Sequence, residues 1–274
     1  MTLYTDLNLL LKDQLLLTPQ KLETLLAEML ENIGSTDPIL RDQLIYASFC
    51  HLINDEKLLT GEHLNMLFET CLDDQHLFWK IGEENTDSVF TRSFSALVLA
   101  AILFNDQAKP TLPVDLISQA FVKTCTYFEL ENDTRGHVTD NGWAHSIAHA
   151  ADLLVALVMH PTFELAASSY VLAAIEQALL KPANYADEED ERLLTVIEAL
   201  LNRGLAIEVL EYWLKSLFSQ LQGLCDAEGL TDLYYRRKVN QQYFVKSLYF
   251  CLKFRGGYSG LMDLISQQLF QLQL

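Results

Sequence analysis

The sequence predicts an all-α protein assembled as a HEAT- or armadillo-like helical repeat array, an α-solenoid, with a closed α/α toroid as the alternative architecture. Three observations lead there. Apolar residues recur at helical spacing through most of the 274 residues. Helix start and stop signals are frequent, and no alternating apolar run bounded by an Asn-Gly type turn marks a hairpin. Roughly twelve helices joined by short connections make about six pairs of around 45 residues each, the repeat length of HEAT and armadillo units.

The elements follow in chain order. Thr18 before Pro19 reads as a helix N-cap followed by a proline at the first helical position, Gly34 as a stop, and Asp37-Pro38 as the next start. Further starts fall near Gly61, Asp87, Pro113, Gly142, Thr162, Asp187, Leu205, Thr231 and Ser259. The longest irregular stretch, "ELENDTRGHVTDN" from Glu129 to Asn141, exceeds the usual helix-to-helix connection, and loops of that length are often functional. No linker or low-complexity tract interrupts the chain, so residues 1–274 read as a single helical-repeat domain.

Composition narrows the function classes. Half of the residues are hydrophobic, which excludes a disordered chain. Lys and Arg number 19 against 37 Asp and Glu, a net charge of −18. The charge is uneven: from Thr231 onward six basic residues face two acidic ones, a balance of +4, leaving −22 on residues 1–230. Phosphate backbones are gripped by Lys and Arg, so direct nucleic-acid binding is not expected. Acidity of this kind serves solubility, or a scaffold that binds basic proteins. Five cysteines, odd in number and widely spaced without any CxxC, suit a reducing compartment, and the protein reads as cytoplasmic. The opening "MTLYTDLNLLLKDQ" lacks a basic leader region, and the longest apolar run, "ALVLAAILF", is about half of the ~18 residues a membrane span needs, so no membrane segment is expected.

One stretch concentrates chemistry. In "GWAHSIAHAADLL", a helix from Gly142 would place His145, His149 and Asp152 within about 60° of one another at about 100° per residue, a polar seam on an otherwise apolar helix. Ala148 and Ala156 beside the seam would leave space. The seam reads as a buried hydrogen-bond network, as a divalent-metal site in which His145 and His149 chelate one ion, or as a pocket for a small anionic ligand. No Glu follows His145, so this is not HExxH, and a metal would need ligands from another helix. Asp152 lies about 10.5 Å along the axis from His145, too far to share its ion, and would orient His149 or hold a second ion instead.

Two other stretches favour the ligand reading. "DSVFTRSFSALVLAAILF" puts Ser88, Arg92 and Ser95 on one stripe of a second apolar helix, and a buried arginine demands an anionic partner, either a side chain such as Asp133 or Asp152 or a ligand. The loop "ENDTRGHV" adds Glu131, Asp133, Arg135 and His137 just before the Gly142 helix, whose N-terminal amides would themselves receive an anion. "DEEDER" reads as an acidic first turn favoured by the helix dipole. The basic, aromatic "YYRRKVNQQYF" reads as pairing with the chain's own acidic body.

"DSVFTRSFSALVLA", "END.RG", "GWAHSIAHAADLL", "DEEDERL" and "NQQYFVKSLYF" together resemble DUF2785, a bacterial family of unknown function. The likeness runs in order from about Asp37 to Tyr249, and GWAH...AH..D is its most specific part. The resemblance implies a shared site of unassigned use at Asp87, Arg92, Asp133, Arg135, Trp143, His145, His149 and Asp152. The expectation is a helical-repeat binding module with a polar pocket for a small anionic ligand or a protein partner. A metal-dependent hydrolase using His145 and His149 is the first alternative, and the acidic scaffold is the second.

Overall fold

Helix punctuation carries most of the architecture. The computed structural model describes residues 2–55 and 58–272. Among these residues there are twelve α-helices: α1 (Leu3–Leu10), α2 (Pro19–Glu31), α3 (Ala47–Asn54), α4 (Gly61–Cys71), α5 (Ser88–Ala108), α6 (Val114–Leu130), α7 (Ser146–Met159), α8 (Ser168–Leu179), α9 (Glu189–Asn202), α10 (Ile207–Glu228), α11 (Asp232–Arg255) and α12 (Ser259–Gln271). The all-α class is as expected. Thr18 caps α2 by accepting the Lys21 amide with Pro19 at the first position, and Thr231 caps α11 by accepting the Tyr234 amide. Thr60 and His63 form a reciprocal capping box at α4.

Three elements depart from the predicted pattern, and one of them is the helix expected near Thr162, which follows a 3-10 turn at Leu165–Ala167 and begins as α8 at Ser168. Asp37 does start a helix, its carboxylate accepting the Ile39 and Leu40 amides, but Ile39–Tyr46 then winds as a π-helix before passing into α3. The helix expected at Gly142 begins instead at Ser146. Ahead of it lies a small antiparallel hairpin, β1 (His137–Val138) against β2 (Gly142–Trp143), with His137 opposite Trp143.

The chain divides into two compact units, Met1–Thr162 and Phe163–Leu274. In the first, α5 is the central post, packed against α3, α4, α7 and the π-helix, while α6 packs on α7. By length and composition α5 is apolar enough to cross a membrane, yet 72 % of that apolar window is buried inside the protein, which is the pattern of a core helix. Its largest partner is α7, where Ala148, Ala150, Ala151 and Ala156 are fully buried. These alanines let two helix backbones approach closely; the space expected beside the histidines is filled by packing. In the second unit α11 plays the central part against α8, α9, α10 and α12, with Phe244, Val245, Leu248 and Leu252 fully buried on its inner side.

Candidate functional site

The segment from Glu131 to His145 is fastened to the first unit by guanidinium groups at three points. Arg92, on α5 and fully buried, grips Glu131 with two bonds: Nε donates to Oε2 at 2.6 Å and Nη2 to Oε1 at 2.8 Å. Its Nη1 donates to the Trp79 carbonyl at 2.9 Å and to Ser88 Oγ at 2.8 Å. Tyr127 OH donates to Glu131 Oε2 at 2.7 Å and the Asp133 amide to Oε1 at 2.9 Å, so the carboxylate is saturated. The anionic partner of Arg92 is therefore Glu131, rather than Asp133 or Asp152. Burial pulls the Arg92 guanidinium down, and the bonds and charge of Glu131 more than reverse this, leaving it above the ordinary arginine value. Burial also drives the Tyr127 hydroxyl well above its usual range, with the Glu131 charge adding to the effect.

Arg135 holds the next point. Its Nε and Nη2 donate to Asp133 Oδ1 at 2.8 Å and Oδ2 at 2.7 Å, and Nη2 also reaches the Thr86 carbonyl at 2.7 Å. The Asp133 carbonyl in turn accepts the Ser146 hydroxyl at the start of α7. Asp87, beside Thr86, is exposed and makes no side-chain cap on α5.

The third point is Arg41 of the π-helix, fully buried, which sequence reasoning missed. It donates to the carbonyls of Ser35 at 2.7 Å, Asn141 at 2.8 Å and, more weakly, Trp143 at 3.4 Å. Its guanidinium carbon sits 4.2 Å from the Phe90 ring centre and 4.7 Å from that of Phe94. Nε lies 2.8 Å from Asp42 Oδ1, an ion-pair distance without hydrogen-bond alignment. Burial pulls Arg41 down from its ordinary value, with Asp42 opposing. Gly142 is obligatory beside it: φ is +76°, and a Cβ there would stand 2.8 Å from Pro38 Cβ and 3.2 Å from Arg41 Nη2.

Held this way, the hairpin presents a row of rings. His137 meets Trp143 edge-on at 4.9 Å, Trp143 stacks on His145 at 4.3 Å, His145 meets His149 at 5.7 Å, and His149 meets Phe94 at 5.3 Å. The row runs from the surface, where Trp143 is 42 % exposed, to the core. His145 adopts the left-handed conformation, φ +45° and ψ +37°, which a non-glycine residue holds at a cost on the order of 1 kcal/mol. Its amide donates to the Arg135 carbonyl at 3.0 Å and its carbonyl accepts the His149 amide at 2.9 Å. His145 thus precedes α7 rather than riding on it, and the predicted three-residue helical seam reduces to His149 and Asp152, one turn apart, with Asp152 half-buried.

Counting protons fixes the tautomer of His149. Ser93 Oγ lies 2.6 Å from His149 Nδ1 and donates its hydroxyl proton to the Ala144 carbonyl. A hydroxyl has one proton, so the Nδ1–H must donate to Ser93, and in the neutral ring the lone pair sits on Nε2. Ser93 holds the ring; with its proton aimed at a carbonyl it is not a nucleophile activated by this histidine. Ser95, on the predicted stripe, only bonds the Thr91 carbonyl at 2.6 Å within its own helix. A second buried imidazole, His160, bonds Asp106 at 3.2 Å; Asp106 also accepts the amide of Leu112 at 2.9 Å, which makes this a brace between the ends of α5 and α7.

The Arg92 shell extends outward to Glu83, whose Oε2 accepts Ser88 and Thr86 hydroxyls, each at 2.9 Å. The Ser88 bond, then the Thr86 bond, hold its carboxyl below the ordinary glutamate value. A depressed acid contributes stability above its unfolded-state pKa and loses it as pH falls through the folded one. Ser88→Ala is expected to move the Glu83 titration midpoint upward, followed by carboxyl carbon NMR; an unmoved midpoint would show that the Ser88 bond does not persist in solution.

A family model described as "Protein of unknown function (DUF2785)" matches residues 77–250, well over half the chain. The chain belongs to this family. No curated protein and no solved structure matches it. The DUF2785 match begins at residue 77 rather than near Asp37, and it contains all eight site positions predicted from the sequence. Ser93, Tyr127 and Glu131 also lie inside the DUF2785 span; Arg41, which holds the hairpin from below, lies outside it.

In the second unit the DUF2785 stretches form a separate brace. Asn240 of "NQQYF" accepts the Tyr185 amide at 3.0 Å and donates to the Ala183 carbonyl at 2.8 Å, fixing the loop ahead of α9. Glu189, Asp190 and Glu191 occupy the first turn of α9, as the dipole argument expects. Burial raises the Glu189 carboxyl, whose Oε2 accepts the Asp187 amide at 2.9 Å.

Proposed function

We propose that this protein is a cytoplasmic binding module, each unit a HEAT-like helical array, whose hairpin recognises an anionic group on a small ligand or on a protein partner. The observation that carries the reading is Trp143, 42 % exposed on a hairpin held from beneath by buried Arg41 and flanked by Arg135. An exposed indole on a rigid support is the kind of residue that dominates binding energy, because little ordering entropy is left to lose. Arg92 and Arg135 are occupied by Glu131 and Asp133, so the proposed contact is made through the exposed indole itself, with the rings of His137 and His145 packed against it. The array reading rests on helices packing on neighbours one or two places along the chain, as α5 does on α7 and α9 on α11. The compartment rests on the five cysteines, all free thiols.

The test is thermal-shift titration with a panel of organic phosphates and dicarboxylates. A hit is expected to raise the melting temperature of the wild type and to lose about tenfold or more in affinity in Trp143→Ala, whose own melting temperature stays near the wild-type value. A hit that Trp143→Ala binds unchanged sinks the reading.

One observation favours a metal-dependent hydrolase as the second reading. An Nδ1–H tied to an oxygen, leaving the lone pair on Nε2, is how metal-ligating histidines are held, and Ser93 supplies that oxygen to His149. Stoichiometric zinc, manganese or iron in protein purified without chelator, absent from His149→Ala, would favour it over the binding module.

A further inference from the structure

The outer face of α11 carries what the fold does not use. Around its exposed side run Tyr235, Arg236, Tyr243, Lys246, Phe250 and Phe254, aromatic or cationic residues, with Asp232 in the first turn the one exposed acid among the described residues of α11. Phe254 is 83 % exposed, Phe250 51 %, and Phe270 on neighbouring α12 64 %. Between the two helices lies a groove of about 370 Å³ lined by Lys246, Tyr249, Phe250, Ser266, Leu269 and Phe270. α11 is thus apolar on two opposite sides, and only the inner one is spent on the core of its unit.

Some cations of α11 pair with the chain's own acids, as the sequence suggested for "YYRRKVNQQYF", and others do not. Arg237 does pair with Glu228 at 3.3 Å and Arg255 stands 3.8 Å from Glu198. Among the described residues, Arg236, Lys246 and Lys253 have no carboxylate within ion-pair distance. Lys246 and Lys253 lie over ring faces instead, 5.5 Å from the Tyr243 centre and 5.9 Å from that of Phe250. A cation kept beside an aromatic ring is still attracted to an incoming carboxylate, and the ring covers its methylene stem.

We propose that the α11–α12 face docks an acidic amphipathic helix of a partner protein, its apolar stripe entering the groove around Phe250 and Phe270 and its carboxylates meeting Lys246 and Lys253. Charge and shape select this occupant. A second copy docked through the same face would set Lys246 and Lys253 against like charge, and a nucleic acid or a flat bilayer surface offers no ridge at helical spacing to enter a groove between two helices. A short acidic helix meets only the local cations, and a two-helix groove receives apolar anchors at helical spacing.

The probe is a synthetic amphipathic peptide of about 20 residues, leucines on one face and glutamates flanking them, with a scrambled peptide of identical composition as control. Fluorescence anisotropy with the full chain is expected to show saturable binding of the patterned peptide alone. Binding should weaken about tenfold or more in Phe250→Ala/Phe270→Ala. It should also weaken in Lys246→Glu/Lys253→Glu, and return when the peptide's glutamates become lysines. Because these side chains are exposed, unchanged circular dichroism melts are expected, and Phe254→Ala serves as a further variant that the core does not contact. Equal binding of both peptides, or of neither, overturns the proposal. Binding to phosphatidylserine vesicles but to neither peptide would assign the face to a lipid surface and overturn it. A concentration-dependent dimer by light scattering that Phe250→Ala abolishes would assign it to a second copy, with the same result.

Discussion

Arg92→Met is expected to destabilise the protein by about 3–5 kcal/mol, since it leaves the Glu131 carboxylate buried without its countercharge. At roughly 2–4 °C per kcal/mol for a unit of this size, the unfolding transition of the first unit should fall by roughly 6–20 °C in a circular dichroism melt. The double variant Arg92→Met/Glu131→Gln should recover much of that loss. Removing both charges also removes the desolvation cost that made the orphaned carboxylate expensive, and the side-chain amide introduced by Glu131→Gln keeps an acceptor for the Tyr127 hydroxyl. A single-variant loss below about 1 kcal/mol would mean that water reaches Glu131.

Arg41→Met should act more locally. It removes the donor shared by the Asn141 and Trp143 carbonyls and the cation lying over Phe90 and Phe94, at an expected cost of about 2–4 kcal/mol. Hydrogen exchange should locate the effect: the amides of Ala144 and His145, which donate to the Gly136 and Arg135 carbonyls, are expected to lose protection, while amides in α11 keep theirs. Gly142→Ala should produce the same local signature by another route, a forced left-handed alanine pressed on Pro38. If both variants leave those amides protected, Arg41 is not what holds the hairpin. The same variants bear on function: a loosened hairpin should bind any hit found through Trp143 more weakly, because ordering the loop then becomes part of the cost of binding.

Much of this was legible from residue order. N-caps at Thr18 and Thr231, the apolar run along α5 and the acidic first turn of α9 depend on neighbours within a turn, and local chemistry decides them. The predicted site residues do gather on the first unit, yet they divide into different tasks. Arg92, Asp133 and Arg135 brace the loop, and Trp143, His145 and His149 line the ring row, while Asp87 stays exposed. The error at Gly142 had a local signal, since Asn141-Gly142 is a turn dipeptide set in a stretch read as a helix start. Ser93 and Arg41 had none: each is defined by a partner far along the chain, His149 for one and the Asn141 carbonyl for the other.

By itself, then, the sequence determined which segments are helical, where most of them begin, which family the chain resembles and which polar residues are too costly to bury without a purpose. Only the tertiary structure decided that purpose. A buried charge takes the partner that packing brings to it, and periodicity along one helix cannot tell Glu131 from Asp152 as the partner of Arg92. In the same way, the outward aromatic face of α11 became apparent only when the inward face had been filled, because helical spacing shows that a side is apolar and not whether the fold covers it.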